Sequence, residues 1–253
     1  MSHHITIITG ASRGMGRALA EQLLARPGYQ LIGISRHSAP DLAAAETGAD
    51  STLAQWEHDL SDAASAAARL AGWLKGADGD RYASATLINN AGVIAQPAPL
   101  SEAQAGELMR ALRVGLEAPM LLTSAFLQAT QGWLQARRKV LNISSGLSRN
   151  AMASQAPYCA AKAGMDHFSR AVALEEASLP NGARVVSLAP GVIDTDMQVQ
   201  LRGADPAKFP DRARFTRLQS EGLLATPAAA AARVLAYLER DDFGSKPVAD
   251  VRD

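Results

Sequence analysis

The stretch Ile5-Thr6-Ile7-Ile8-Thr9-Gly10-Ala11-Ser12-Arg13-Gly14-Met15-Gly16 decides how this chain is read. Its first five residues are apolar or β-branched, the composition of a short buried strand. Three glycines follow in a G-x-x-x-G-x-G spacing. Arg17 to Arg26 then carries Leu19, Leu23 and Leu24 at helical intervals until Pro27-Gly28 stops it. A strand that feeds a helix through such a turn suits a phosphate. Glycine permits positive φ and close approach of backbone N–H groups, and the helix N-terminus adds partial positive charge. The spacing is not the G-x-G-x-x-G dinucleotide fingerprint, and a plain tight turn would use the same residues. Gly10, Ser12, Arg13, Gly14, Met15 and Gly16 are nonetheless the first candidate cofactor contacts.

Working outward, strands and helices alternate. Gln30 to Ser35 reads as a second buried strand and Leu53 to His58 as a weaker third. Ser61 is expected to cap an Ala-rich helix running to Lys75. Ala85 to Asn89 is the fourth strand. Ser101 and Gln104 have capping-box spacing and open a helical region toward Gln131, with a kink or break expected at Pro119. Lys139 to Ile143 is the fifth strand, a helix runs from about Pro157 to Ser178, and Val185 to Ala189 is the sixth strand. This alternation predicts an α/β fold, a single-domain Rossmann-type doubly wound parallel sheet flanked by helices, over residues 1–253. The polar segment from Asp194 to Leu224, with Gly203, Pro206 and Pro210, is either a substrate lid (about 194–224) or an ordinary surface excursion.

Composition narrows the classes. The 253 residues balance 25 Lys+Arg against 25 Asp+Glu, and 47% are hydrophobic. That supports a proper core and gives no general electrostatic pull toward nucleic acid or an anionic membrane. No apolar run reaches the ~20 residues of a membrane span, and no signal peptide is evident. One cysteine, Cys159, cannot form an internal disulfide. A soluble, cytoplasmic protein is expected, with no nucleic-acid, membrane or metal partner.

The second strand ends in Ser35-Arg36, where an acid would hold a ribose 2′-hydroxyl. Arg36 and Arg13 together suit a 2′-phosphate instead, so NADP(H) is the expected cofactor. Tyr158 and Lys162 lie four residues apart in a helical segment and project from one face. Ser144-Ser145 end a buried strand, at the carboxyl edge where such sheets bind ligands. A carbonyl receiving hydride needs a proton donor, and an alcohol losing hydride needs a base. A tyrosine of pKa ~10 working as base near neutrality must fall about three units, costing about 4 kcal/mol. One ammonium ~4 Å away supplies about that much. A serine hydroxyl would hold the substrate oxygen in line.

With these residues in order, the chain resembles the short-chain dehydrogenases/reductases over nearly its whole length. The TGASRGMG loop matches that family's cofactor loop, Asp59-Leu60 the pair contacting adenine, and Asn89-Asn90-Ala91-Gly92 the NNAG element. Ser145, Tyr158 and Lys162 match the catalytic serine, tyrosine and lysine. Pro190-Gly191-Val192 with Thr195 matches a segment whose threonine holds the nicotinamide carboxamide. Asp59 as a helix cap and Pro190-Gly191 as a turn are the plain alternatives. The resemblance implies cofactor contacts from Arg36, Asp59, Leu60, Asn90, Ala91, Gly92, Tyr158, Lys162, Pro190, Gly191, Val192 and Thr195. It also implies a homodimer or homotetramer.

One departure stands out. Gly115, in Val114-Gly115-Leu116, replaces the family's fourth catalytic residue, an asparagine whose main-chain carbonyl holds a relay water. Glycine keeps a carbonyl, so the relay either survives or is impaired. Asp194-Thr195-Asp196-Met197-Gln198 and the tail Leu238 to Ser245 are similar to the sepiapterin reductase and benzil reductase branch. That likeness implies an NADPH-dependent carbonyl reductase acting on a ketone or vicinal dicarbonyl. Ser145, Tyr158 and Asp250 would be the substrate contacts, Asp250 being either a pterin anchor or a solvated tail residue. A secondary-alcohol dehydrogenase and a non-catalytic NADP(H)-binding sensor or scaffold are the rivals.

Overall fold

The computed structural model describes residues 3–44 and 47–253. Seven parallel strands form one sheet: β1 (His3–Thr9), β2 (Tyr29–Ser35), β3 (Thr52–Glu57), β4 (Tyr82–Asn89), β5 (Arg137–Ile143), β6 (Arg184–Ala189) and β7 (Val248–Asp250). Their order is β3-β2-β1-β4-β5-β6-β7. The order reverses between β1 and β4, so the loops leaving these two strands flank the crevice where such sheets take ligands. Runs such as Ile5, Ile7 and Ile8, or Val185, Val186 and Leu188, are buried because helices cover both faces.

On one face α1 (Gly14–Leu24), the short α2 (Pro40–Ala43) and α9 (Pro227–Glu239) pack over Ile8, Leu31, Ile88 and Leu141. On the other, α3 (Ala63–Gly76) and α5 (Ala118–Thr130) cover Ile5, Ile7, Leu87 and Val140. The Trp residues are packing elements there: Trp56 meets Trp73 edge-on and Trp133 stacks on Tyr82. α4 (Ala105–Leu112), α6 (Ala156–Ala177), α7 (Asp196–Arg202) and α8 (Arg212–Ser220) complete the chain. Among the described residues no helix is long and apolar enough to cross a membrane.

Several local expectations are corrected. β7 is a seventh strand, too short to show a period in sequence. The cap of α3 is Asp62, whose side chain accepts from the Ser65 N–H; Ser61 instead donates its hydroxyl and its N–H to Asp59 Oδ1. Ser101 and Gln104 form no capping box, because Leu100–Glu102 is a separate 3₁₀ turn and Gln104 caps α4 without a side-chain bond. The break expected at Pro119 lies earlier, in a π-helical turn over Arg113–Glu117, while Pro119 sits in the first turn of α5 where its missing N–H costs nothing.

The segment after β6 is a closed excursion. Ile193 bridges Ala225, Asp194 N–H donates to Ala225 O, and Ala225 N–H donates to Val192 O, pinning both ends together. Between them α7 and α8 enclose Leu201, Ala204, Phe209 and Phe215. Ile94 from the loop after β4 and Met152 from the loop before α6 pack against this cluster.

Candidate active site

The glycine loop is held from three sides. Thr9 Oγ1 accepts from the Asn90 and Ala91 N–H groups, at 3.0 and 2.9 Å. Gly10 N–H donates to Ile34 O at 2.8 Å, and Ser12 N–H to Ser35 Oγ at 3.2 Å. Asn90 therefore braces the loop, its amide donating to Thr9 O at 2.9 Å. A Cβ at position 16 would overlap the Gly10 carbonyl oxygen and Asn90 Nδ2, so only glycine lets α1 begin this close to β1.

The residues fit a nucleotide. Arg13, the N-cap of α1, makes no side-chain capping bond, and the first turn holds no acid, so its N–H groups face the crevice with the helix dipole behind them. Thr195, the N-cap of α7, likewise makes no capping bond; its Cγ2 would lie 3.7 Å from a Cβ at Gly14. Arg13 ion-pairs with Asp196 at 2.6 Å across this gap. Arg36 is exposed just beyond β2. Asp59 is exposed and Leu60 buried; the Asp59 carboxyl is held below its usual range by the Ser61 hydroxyl and N–H, with Arg110 and Arg36 adding to it. Asp59 thus makes a local Asx turn rather than the helix cap. Pro190 is buried, Gly191 adopts φ 85°, and Val192 is exposed at the mouth.

Ser145, Tyr158 and Lys162 converge. Ser145 leads from β5 into a 3₁₀ turn, where its Oγ accepts from the Leu147 N–H at 3.1 Å. The Ser145 hydroxyl lies against the Tyr158 phenol. Lys162 is 3% exposed; its Nζ stands 5.7 Å from the Tyr158 ring centroid and donates to Ile143 O at 2.7 Å. Burial lowers its pKa to about 8, against the opposing pull of Asp166. The lowering of Tyr158 expected from Lys162 is not what this arrangement gives. Burial pushes the phenol above its ordinary value and the Ser145 hydroxyl opposes that, while the ammonium is turned to a carbonyl. A phenol so placed is protonated at neutral pH and is an acid before it is a base.

Gly115 sits buried in the π-helical turn, and a Cβ there would meet Ala161 Cβ at 3.1 Å. Ala161 precedes Lys162, so glycine lets this turn press its backbone onto the helix that carries the lysine. π-helical turns are frequent at functional sites.

The pairing that buries Asp250 and the place of Asp166 in the site escaped the sequence. Asp250 is a buried residue of β7, not a solvated tail residue. Arg252 binds both its oxygens, at 2.6 and 2.7 Å, and Arg149 approaches at 3.5 Å. This pairing holds its carboxyl below the usual range, Arg252 being the main cause. The second is Asp166, buried one turn beyond Lys162 and bonded to Ser144 and Ser187. The i, i+4, i+8 spacing of Tyr158, Lys162 and Asp166 was the available signal for it.

A glycine-cradled crevice at a topological switch point, with a buried lysine, a tyrosine and a serine at its floor, defines a nucleotide-dependent enzyme of the Rossmann class. The profile of the short chain dehydrogenase family matches residues 4–205. The chain belongs to that family. It is 35% identical over 237 residues to the benzil reductase ((S)-benzoin forming) of Bacillus cereus, covering 94% of each chain. It is 32% identical over 261 residues to the sepiapterin reductase of Rattus norvegicus, covering 98% of this chain and 96% of the relative. Among solved structures, a short-chain dehydrogenase/reductase from Burkholderia vietnamiensis is 35% identical and covers 99% of each chain, with a TM-score of 0.64. The chain is accordingly an oxidoreductase that uses a nicotinamide cofactor on CH–OH or C=O groups of a small molecule.

Proposed function

We propose that this protein is an NADPH-dependent carbonyl reductase acting on a ketone or vicinal dicarbonyl, of the benzil or sepiapterin kind. The observation that carries this reading is the convergence of the Ser145 hydroxyl, a Tyr158 phenol held protonated by burial, and the Lys162 ammonium. The nicotinamide would supply the hydride. Ser145 Oγ accepts the Leu147 N–H, which fixes the position of the oxygen; its single proton would serve the Tyr158 phenol or, once a carbonyl is bound, the substrate oxygen. Tyr158 gives up its proton to the oxygen that becomes the alcohol. Lys162 compensates the charge left on the phenolate and would bind the nicotinamide ribose. A protonated phenol is the form that the reductive direction uses.

The N-terminal N–H groups of α1, with Gly10, Ser12, Gly14, Met15 and Gly16, would hold the pyrophosphate. Arg13 and Arg36 would meet a 2′-phosphate, in keeping with the absence of an acid at the end of β2. Asp59, Leu60, Asn90, Ala91 and Gly92 would border the adenine and ribose, and Pro190, Gly191, Val192 and Thr195 the nicotinamide. The excursion 194–224 would be the substrate lid, because its apolar cluster reaches Ile94 and Met152 on the two loops bordering the catalytic floor. Asp250 can meet a cationic substrate edge only if Arg252 is displaced. The exposed Met109, Leu112, Met120 and Leu174 on α4, α5 and α6 favour a homodimer or homotetramer that covers them.

The test is oxidation of NADPH by the purified protein, followed by absorbance, with benzil and sepiapterin offered separately and NADH as control. Turnover with either carbonyl, faster with NADPH than with NADH, is expected. Turnover with NADH alone would overturn the phosphate assignment.

A further inference from the structure

Asp166 carries an inference that rests on the proposed roles of Tyr158 and Lys162. The face of α6 that presents Tyr158 and Lys162 continues one turn on to Asp166 and then to Ser169. Asp166 is 3% exposed. Its Oδ1 accepts from Ser144 Oγ on the end of β5 at 2.6 Å and from Ser187 Oγ on β6 at 2.7 Å. These two strands lead directly to Ser145 and to Pro190-Gly191. The residue before Ser144 is Ile143, whose carbonyl receives the Lys162 ammonium. One carboxylate therefore links the helix bearing the tyrosine and lysine to both strand ends that border the reacting atoms.

We propose that Asp166 is a positioning residue of the reaction: it fixes the ends of β5 and β6 against α6 and supplies the counter-charge that keeps the Lys162 ammonium in a dry site. Three observations support it. The bonds to Asp166 come from two different strands, so removing the carboxylate frees both. Burying a carboxylate without a cation nearby is costly, and Lys162 is the cation one turn away. The groups that face Lys162 from the other elements are the Ile143 carbonyl of β5 and the backbone of Gly92; on its own helix the Tyr158 phenol faces it, with the Cys159 thiol beside that phenol. The charge of Asp166 favours the ammonium form of the lysine, against the burial that opposes it.

Asp166→Asn keeps shape and accepting capacity and removes the charge. In NADPH-dependent reduction of benzil, the alkaline limb of kcat should move to lower pH by about one unit or more, because Lys162 releases its proton more easily. At pH 8 kcat should fall about fivefold or more. Ser169→Ala, one turn further along the same face, removes the hydroxyl that Asn142 donates to. It is expected to lower the melting temperature and leave the pH profile in place. If Asp166→Asn does not fold, the smaller and neutral Asp166→Ser reads the same limb. An alkaline limb that stays where it is in the folded Asp166 variant overturns the proposal. Tyr158→Phe separates this from failure of the reading beneath it. Retained turnover in Tyr158→Phe sinks the proton-donor assignment, whereas a dead Tyr158→Phe with an unmoved Asp166→Asn profile sinks the positioning role alone.

Discussion

The glycine loop and the excursion from Asp194 to Leu224 meet across one gap and are built in opposite ways. The loop is tied by short bonds that are mostly to backbone: Thr9 Oγ1 to two N–H groups, the Asn90 amide to Thr9, Gly10 to Ile34. Gly16 admits no side chain without overlap, and Gly10 and Gly14 adopt the positive φ that disfavours other residues. The excursion rests on four buried side chains and on exposed ion pairs, Arg13–Asp196 and Lys208–Glu102 among them. Exposed pairs contribute about 0–1 kcal/mol each. The difference teaches a division of labour. The half proposed to meet the invariant part of the ligands, a dinucleotide, is tied by short bonds to backbone; the half proposed to meet the variable carbonyl compound is tied at its two ends and by a small apolar cluster.

The sharpest way to break this comparison is at Gly16. Gly16→Ala puts a methyl into the Gly10 carbonyl and the Asn90 amide, so the loop must move off both. Affinity for NADPH, read by quenching or energy transfer to the bound nicotinamide, should weaken by at least about 100-fold, equivalent to roughly 3 kcal/mol. An unchanged Kd would mean the loop adapts to the added methyl.

A pair of phenylalanine truncations gives the next largest effect. Phe126 on α5 is fully buried against the sheet and Phe209 is fully buried in the excursion. Phe→Ala in a core costs roughly 3–5 kcal/mol. Phe126→Ala should therefore lower the global melting temperature by about 6 °C or more. Phe209→Ala should melt the excursion locally, raising KM for the carbonyl about tenfold while moving the global transition much less. Equal losses of melting temperature would show that the excursion is part of the cooperative core.

The same contrast explains what could be read from residues. Strands such as Ile5 to Thr9 and Val185 to Ala189 announce themselves because burial on both faces demands unbroken apolar runs, and the glycine loop because its backbone admits almost nothing else. Tyr158 and Lys162 were legible because helical spacing fixes their common face. The bounds of the excursion were legible from its polarity, although the Ile193–Ala225 bridge that closes it was not. What stayed hidden depends on long-range geometry. Asp250 ends a strand of only three residues, and it pairs with Ala189 beside it and with Arg252. The π-helical turn arises because a glycine at 115 can press against Ala161, a contact spanning 46 positions of sequence that no local periodicity encodes. Asp62 displaced Ser61 as the cap because Ser61 was already bonded to Asp59.

The smallest expected effect lies at the Arg13–Asp196 ion pair that spans the gap. Arg13 and Asp196 have side chains 67% and 72% exposed, so their attraction is screened by water and salt. If Arg13 is also the partner of a 2′-phosphate, Asp196 competes for it. Asp196→Asn should then tighten NADPH binding by no more than about 5-fold, under 1 kcal/mol, and leave NADH binding unchanged. The gain should fade as salt approaches ~1 M, where the screening length drops to about 3 Å. Weaker NADPH binding in this variant would mean the opposite arrangement, in which the pair closes over the cofactor and the excursion contributes to holding it.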